Sequence, residues 1–438
     1  MFLRKIVLAL MAFLVFSIPL AGGQLSFDVS IGPVGLMSVV GILAFLFAIA
    51  SLLFGHRGLG RTVVPMDLSV TMFGIFVALN LASVGWAENS SVAISASIAY
   101  IQILVFVWLL LFLRSEPKAF SIILYAIFLG SFLLVAYSIY DILSVGLDSF
   151  QSQRFGGFGV QVNRYALKLA LGIPVALYIM YRGLRAFRWL SFAYLPAAAF
   201  LIFLSGSRTG MAMLIFALLA AMWLVLRVEH RGQVRFSVRR LSLLAGIVVV
   251  ASILVGPSLY ERFEYHAERA ASLADPLDDT DESSGFGGRL HLWEAALRAY
   301  LDNPILGVGS GGSNEAMLDY IGHEGLVVSL AISGRSVHSV YVAIASETGT
   351  VGVLLWLAVL VSLVLRIRTF PRQERILFLS FMGVALLSGI AGTIEAARDF
   401  NLALFLSVIF SHPQEQPETA TPAIEPARLA ENGRAPTG

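Results

Sequence analysis

"HSVYVAIASETGTVGVLLWLAVLVSLVL" occupies His338 to Leu365, and Arg366 and Arg368 close it. The sixteen residues from Thr350 to Leu365 are almost wholly apolar. A hydrocarbon layer of ~30 Å is crossed by about 20 helical residues. The stretch therefore reads as a membrane helix whose mouth carries a histidine and a carboxylate. Counting back about 20 residues from Leu365 sets Glu347 near the outer edge of the hydrocarbon. On a helix that continues outward, His338 lies about 13 Å further and about half a turn round. On one straight helix Glu347 therefore cannot orient His338 directly, and its role stays open.

The rest of the chain follows that pattern. Of 438 residues, 58% are hydrophobic and 13% charged, against roughly a quarter charged in soluble domains. Apolar runs fall near residues 5–22, 34–54, 63–84, 92–113, 119–143, 162–181, 189–205, 209–227, 241–257, 339–365, 376–394 and 400–411. The expected fold is an all-α polytopic membrane protein of about twelve spans. Arg4 and Lys5 before an apolar stretch ending in "PLAGG" also fit a signal peptide. With no cysteine, disulfides and thiolate metal sites are excluded.

Charge sets the orientation. With the N-terminus inside, eighteen Lys or Arg fall at inner ends, from Arg4 and Lys5 to Arg372 and Arg375. The short outer connections hold four: Arg154, Arg164, Arg208 and Arg398. Positive charge concentrates on the cytoplasmic side of membrane proteins, so both termini are expected there. Residues 1–257 then hold the first nine spans, 258–338 one large outer loop, and 339–411 the last three. The Pro-, Glu- and Ala-rich segment 412–438 reads as a disordered cytoplasmic tail. The large loop is acidic, with thirteen Asp or Glu against five Arg. Within it, "RLHLWEAALRAYLDNP" predicts an amphipathic helix with Leu290, Trp293, Leu297 and Leu301 on one face and an Asn-Pro stop.

Several motifs lose their first meaning in this setting. "GVGSGG", Gly307 to Gly312, matches G-x-G-x-x-G but lies in an outer loop rather than between a strand and a helix. A plain turn is favoured, with backbone N–H groups facing an anion as the alternative. "DPLDDTDESSG", Asp275 to Gly285, lacks the EF-hand spacing, because Ser284 stands where glycine is needed and Leu290 where glutamate is needed. A solvated acidic loop is the better account.

Other motifs gain from each other. "LSGSRTG" strands Arg208 between two apolar runs, either facing the bundle interior or snorkelling to headgroups. Arg164 and Lys168 share a helix face at i, i+4, and Lys168 lies inside an apolar run. Arg154, Arg289 and Arg335 also fall on the outer side, as does His338. Guanidinium groups grip phosphate in bidentate fashion and stay charged. Neutral imidazole can take up a proton near pH 7. An arginine cluster with one base on the outer side suits a lipid-linked phosphate or pyrophosphate, the arginines stabilising charge on the leaving group.

"GGRLHLWEAALRAYLDNPILGVGSGG" followed by "HSVYVAIASETGTVG" resembles the signature of the O-antigen ligase and polymerase superfamily. "LSGSRTG" resembles its Ser-Arg turn, and "RFGGFGVQVNRYA" its upstream Arg-Gly-Asn stretch. The resemblance implies a GT-C-like membrane glycosyltransferase of the bacterial inner membrane, with its active site facing the periplasm. It implies a glycan donor on undecaprenyl pyrophosphate, inversion at the anomeric carbon, and no metal or other cofactor. By the same resemblance Arg208 and Arg289 hold the pyrophosphate and His338 acts on the acceptor. Arg154, Arg164, Lys168, Arg335, Tyr341 and Glu347 are the candidates for substrate binding. The Arg-x10-Gly spacing of polymerases occurs from Arg298 to Gly309 but not from Arg154 or Arg164. With one large outer loop, this favours a ligase that moves glycan onto lipid A–core. An O-antigen or exopolysaccharide polymerase using the same donor, or a related protein-glycan transferase, is the alternative. A transporter or flippase is the reading from another class; its polar groups belong at the midplane of broken helices. The expected partners are these glycolipids and membrane lipids, with no nucleic acid.

Overall fold

The computed structural model describes residues 2–21, 30–31, 34–54, 67–146, 155–157, 160–229, 286–320, 337–392 and 397–410. The 241–257 run, the acidic 275–282 segment and the 412–438 tail lie outside the described residues. Thirteen described α-helices follow in chain order. They are α1 (Phe2–Ser17), α2 (Leu36–Phe54), α3 (Leu68–Ala82), α4 (Ser90–Leu113), α5 (Ala119–Val145), α6 (Val162–Arg182) and α7 (Arg185–Leu204), then α8 (Arg208–Glu229), α9 (Phe286–Asp302), α10 (Ser313–Tyr320), α11 (Val340–Arg368), α12 (Arg372–Gly389) and α13 (Arg398–Phe405). The described strands are one antiparallel ladder of two residues each, Ser30–Ile31 with Val34–Gly35.

Seven described segments are long and apolar enough to cross a membrane, where the composition predicts about twelve spans. They include α1, α2, α3, α4, α5, α7 and α11. The 241–257 run lies outside the described residues, α8 counts only as a shorter apolar helix over Arg208–Ala220, and the other three runs differ in charge or length. Arg164, Lys168 and Arg182 lie within α6, Arg372, Glu374 and Arg375 open α12, and α13 has only 8 residues.

Side-chain bonds show which helix ends meet. At one end, the buried Asp67 caps α3 by accepting from Ser69 N at 3.1 Å, and pairs with Arg114 at 3.8 Å and with Arg366. Arg366 also donates to the carbonyls of Ser407, Val408 and Phe410, in and just after the short turn that follows α13. Arg182 meets the buried Glu374 at 3.4 Å, and Arg4 meets Glu116 at 3.9 Å. A charge withdrawn from water needs such partners. Arg4, Arg114, Arg182 and Arg366, which make these pairs, are among the arginines that the sequence assigns to the inner side. Between the ends lies an aromatic core, in which Trp356 of α11 packs on Phe76 of α3 with ring centroids 5.4 Å apart.

The tenth apolar run departs from the straight helix considered above. α11 is broken at Gly349, whose φ of 63° and ψ of −165° are not helical. The backbone groups freed there are taken up by the Pro304–Gly309 loop. Val308 N donates to Ser346 O and Gly309 N to Glu347 O, both at 2.9 Å. Thr350 N donates to Pro304 O at 2.8 Å, and Val351 N to Ile305 O at 3.2 Å. Irregular backbone at membrane depth persists only where protein satisfies it. The sequence "NPILGVG" does this here.

Only glycine fits position 349. A Cβ there would lie 2.3 Å from the Ile305 carbonyl oxygen, and a positive φ costs about 1–3 kcal/mol for other residues. Gly349→Ala is expected to lower the melting temperature of the purified protein by several degrees or prevent its accumulation. An unchanged melting curve would show that the interlock contributes nothing to stability.

Candidate functional site

Arg208 opens α8 on a turn built by serines. Gly206 reverses the chain with φ 64°, and Ser205 Oγ accepts from Ser207 N at 3.2 Å. Ser207 Oγ accepts from Gly210 N at 2.9 Å, which is the bond of a helix N-cap. The same hydroxyl donates to Asn163 Oδ1 at 2.7 Å. The Ser-Arg turn of α8 is thereby tied to the first turn of α6, where Arg164 is exposed and Lys168 buried. Lys168 Nζ donates to the carbonyl of Ala21, so the interior cation of α6 anchors the chain leaving α1.

His338 stands just before α11 with φ 53°, alone among described non-glycine residues in having positive φ. Histidine tolerates this region better than most residues but is held there at a cost. Its neighbours are fixed: Val337 and Ser339 are buried, and Trp293 Nε1 donates to Val337 O at 3.0 Å. Trp293 lies one helical turn after Arg289 on α9. Residues four apart share a helix face, so the bond that seats Val337 also fixes the part of α9 carrying Arg289.

α9 buries a different face from the one its leucines suggest. Leu292, Ala295 and Ala296 pack with Met317 of α10 and Val337. Leu290, Leu297 and Leu301 point away from this core, Leu301 being 68% exposed. Of the predicted stripe, only Trp293 packs against it. Alanines let α9 approach its neighbours closely, whereas an apolar side chain beside a membrane has no need of a protein partner. Tyr320 of α10 donates to Asp302 of α9, and that carboxylate pushes the phenol pKa up.

These elements meet at the end opposite Asp67 and Arg366. From His338 the path runs to Val340, which a Cβ on Gly389 would touch at 3.4 Å. Ala391, just after α12, accepts from Asn163 Nδ2 at 3.5 Å, and Asn163 leads to Ser207 and Arg208. Arg164, Lys168, Arg208, Arg289 and His338 therefore belong to segments gathered at one end. Tyr341 joins α11 to α12 by donating to Leu386 O at 2.6 Å. Arg154 and Arg335 lie outside the described residues. Among the described residues, no group of three or more His, Asp or Glu side chains is placed to hold a metal ion.

Glu347 is 7% exposed, and both its oxygens are used within the chain. Oε2 accepts from Gly311 N at 2.8 Å and Oε1 from Ser313 Oγ at 2.6 Å. The glycine-rich turn thus does face an anion, and that anion is the protein's own carboxylate. Sequence reasoning missed this pairing, and also the Asn163–Ser207 and Trp293–Val337 bonds. The available signals were the serine three residues before Gly210 and the glycine two residues after Glu347.

Comparison with curated proteins returns no match. Residues 193–357, which include Arg208, Arg289, His338 and Glu347, match the family model described as O-antigen ligase. The chain is thus similar over that span to the O-antigen ligases, consistent with the O-antigen ligase and polymerase superfamily, and the match supports a membrane enzyme of that type acting on lipid-linked glycans.

Proposed function

We propose that the protein is an O-antigen ligase of the bacterial inner membrane, moving glycan from undecaprenyl pyrophosphate to lipid A–core at the periplasmic face. One observation carries the reading. The Ser-Arg turn of Arg208, the Trp293-anchored stretch of α9 with Arg289, and the constrained His338 occupy one end of the bundle. The opposite end holds the ion pairs of Arg114, Arg182 and Arg366, arginines expected on the cytoplasmic side. In this account His338 removes the proton from an acceptor hydroxyl. The acceptor oxygen bonds to the anomeric carbon from the side opposite the leaving group, and the bond to the pyrophosphate oxygen breaks. Arg208 and Arg289 bind the pyrophosphate and stabilise the charge it gains. The reaction needs no metal or other cofactor.

The break in α11 does not favour transport. Transporters use such breaks to expose backbone to a substrate or ion near the midplane. Here the freed groups are taken by the chain's own loop.

The test is a lipopolysaccharide gel from a strain lacking the protein, with an assay of carrier-linked glycan. Core without O-antigen, with long polymer accumulating on the carrier, supports the ligase. Core capped by one repeat unit would mean a polymerase. Unchanged lipopolysaccharide would overturn the ligase and point to a polymerase or transferase acting on exopolysaccharide or glycoprotein.

A further inference from the structure

Glu347 closes a ring of contacts around the outer part of α11. Its carboxylate reaches across the 304–313 loop to Gly311 N and to Ser313, the first residue of α10. Met317 of α10 packs on Leu292, Ala295 and Ala296 of α9. Trp293 of α9 returns to α11 by its bond to Val337 O. The loop is held on its other side as well: Ser310 N donates to Ser83 Oγ, and Ser310 Oγ to the buried Asn80 Oδ1, both at 2.9 Å.

The ring matters because α11 is interrupted. Beyond Gly349, the segment Val340–Thr348 is not held in line by an unbroken helix. Relative to α9 it is fixed directly by the Trp293 bond to Val337 O and indirectly through the loop, to which Glu347 adds side-chain bonds from the segment beyond the break, as Thr350 does on the other side of it. His338 lies nine residues away, so the effect passes through α10 and α9 rather than by contact. Both carboxylate oxygens are engaged by donors of the chain itself.

We propose that Glu347 is a positioning residue: by clamping the 304–313 loop into the broken helix, it holds the Arg289 helix in register with His338. The proposal rests on the transferase reading for its consequence, though not for the clamp. The carboxylate's charge is not required. A glutamine can offer its oxygen to Gly311 N–H and its amide N–H to the Ser313 hydroxyl, which can donate or accept.

The chain has no cysteine, so Val308→Cys supplies a single thiol on the clamped loop. Maleimide labelling of that thiol in the full-length protein, in lipid, reports loop release without any assay of activity. Glu347→Ala is expected to label at least about tenfold faster, and to lower kcat for transfer about 10²-fold, the scale of a 1 Å misplacement, with KM changed far less. Glu347→Gln is expected to label at the wild-type rate and to recover kcat to within a few-fold. Ser313→Ala, which leaves the carboxylate and removes one donor, is expected to fold and to fall between them in both readouts. Wild-type labelling in Glu347→Ala would overturn the clamp. A Glu347→Gln protein with wild-type labelling and the activity of the Ala variant would overturn the positioning role, since the charge itself would then be needed. Faster labelling in Glu347→Ala with undiminished kcat would also overturn it. A Val308→Cys protein with Glu347 intact that labels slowly, as expected, and transfers no glycan, as the wild type also fails to do, would overturn the proposed function and leave the clamp standing.

Discussion

His338→Ala is expected to lower glycan transfer by about 10²–10⁴-fold, the range for loss of a general base, while the protein reaches the membrane at its normal level. The backbone at this position calls for a second comparison. With φ at 53°, alanine adds strain of about 1–2 kcal/mol, so loss of activity in that variant alone mixes two effects. Asparagine and glycine both tolerate left-handed backbone. His338→Asn and His338→Gly should therefore melt above the alanine variant and still be inactive. Transfer assays beside thermal unfolding of the three variants check this. Near-full activity in His338→Asn would remove the general-base role. Recovery in the glycine variant would show that backbone shape, not imidazole, is what the position supplies.

Arg208 carries the second large effect. Removing a group that stabilises developing charge costs about 10²–10³ in kcat, and Arg208→Ala is expected to show it. Arg208→Lys should be nearly as impaired, because a point charge does not reproduce the planar, bidentate fork of arginine. The helix cap should survive in either variant. The cap of α8 is made by Ser207, through Gly210 N and Asn163, and neither bond involves the arginine side chain. Steady-state transfer by the purified variants, at saturating carrier-linked glycan, checks this. A Lys variant with wild-type kcat would leave only a general need for positive charge.

The sequence was most informative where physics is one-dimensional. Apolar runs and arginine placement predict helices whose ends sort by charge, and the Asp67–Arg366–Arg114 cluster sits at the end assigned to the inner side. The Asn-Pro stop of α9 was legible too, since Asp302 is its last residue and Asn303-Pro304 follows. The face buried by α9 was not. In water the leucines of Leu290, Leu297 and Leu301 would choose the core, but beside a membrane that preference disappears, and Ala295 and Ala296 pack instead. The break at Gly349 was hidden because its partners lie more than forty residues upstream, at Pro304 and Ile305. Without the break, Glu347 looks like a stray carboxylate at a helix mouth. With it, Glu347 is the residue that Gly311 and Ser313 close upon.

The most direct test of the account is transfer by purified protein in liposomes, supplied with undecaprenyl-pyrophosphate-linked glycan and lipid A–core. The account predicts glycan on lipid A–core with release of undecaprenyl pyrophosphate, in wild type and not in His338→Asn. Transfer that survives in His338→Asn, or a wild-type protein that moves the donor across the bilayer without forming a new glycosidic bond, would contradict it.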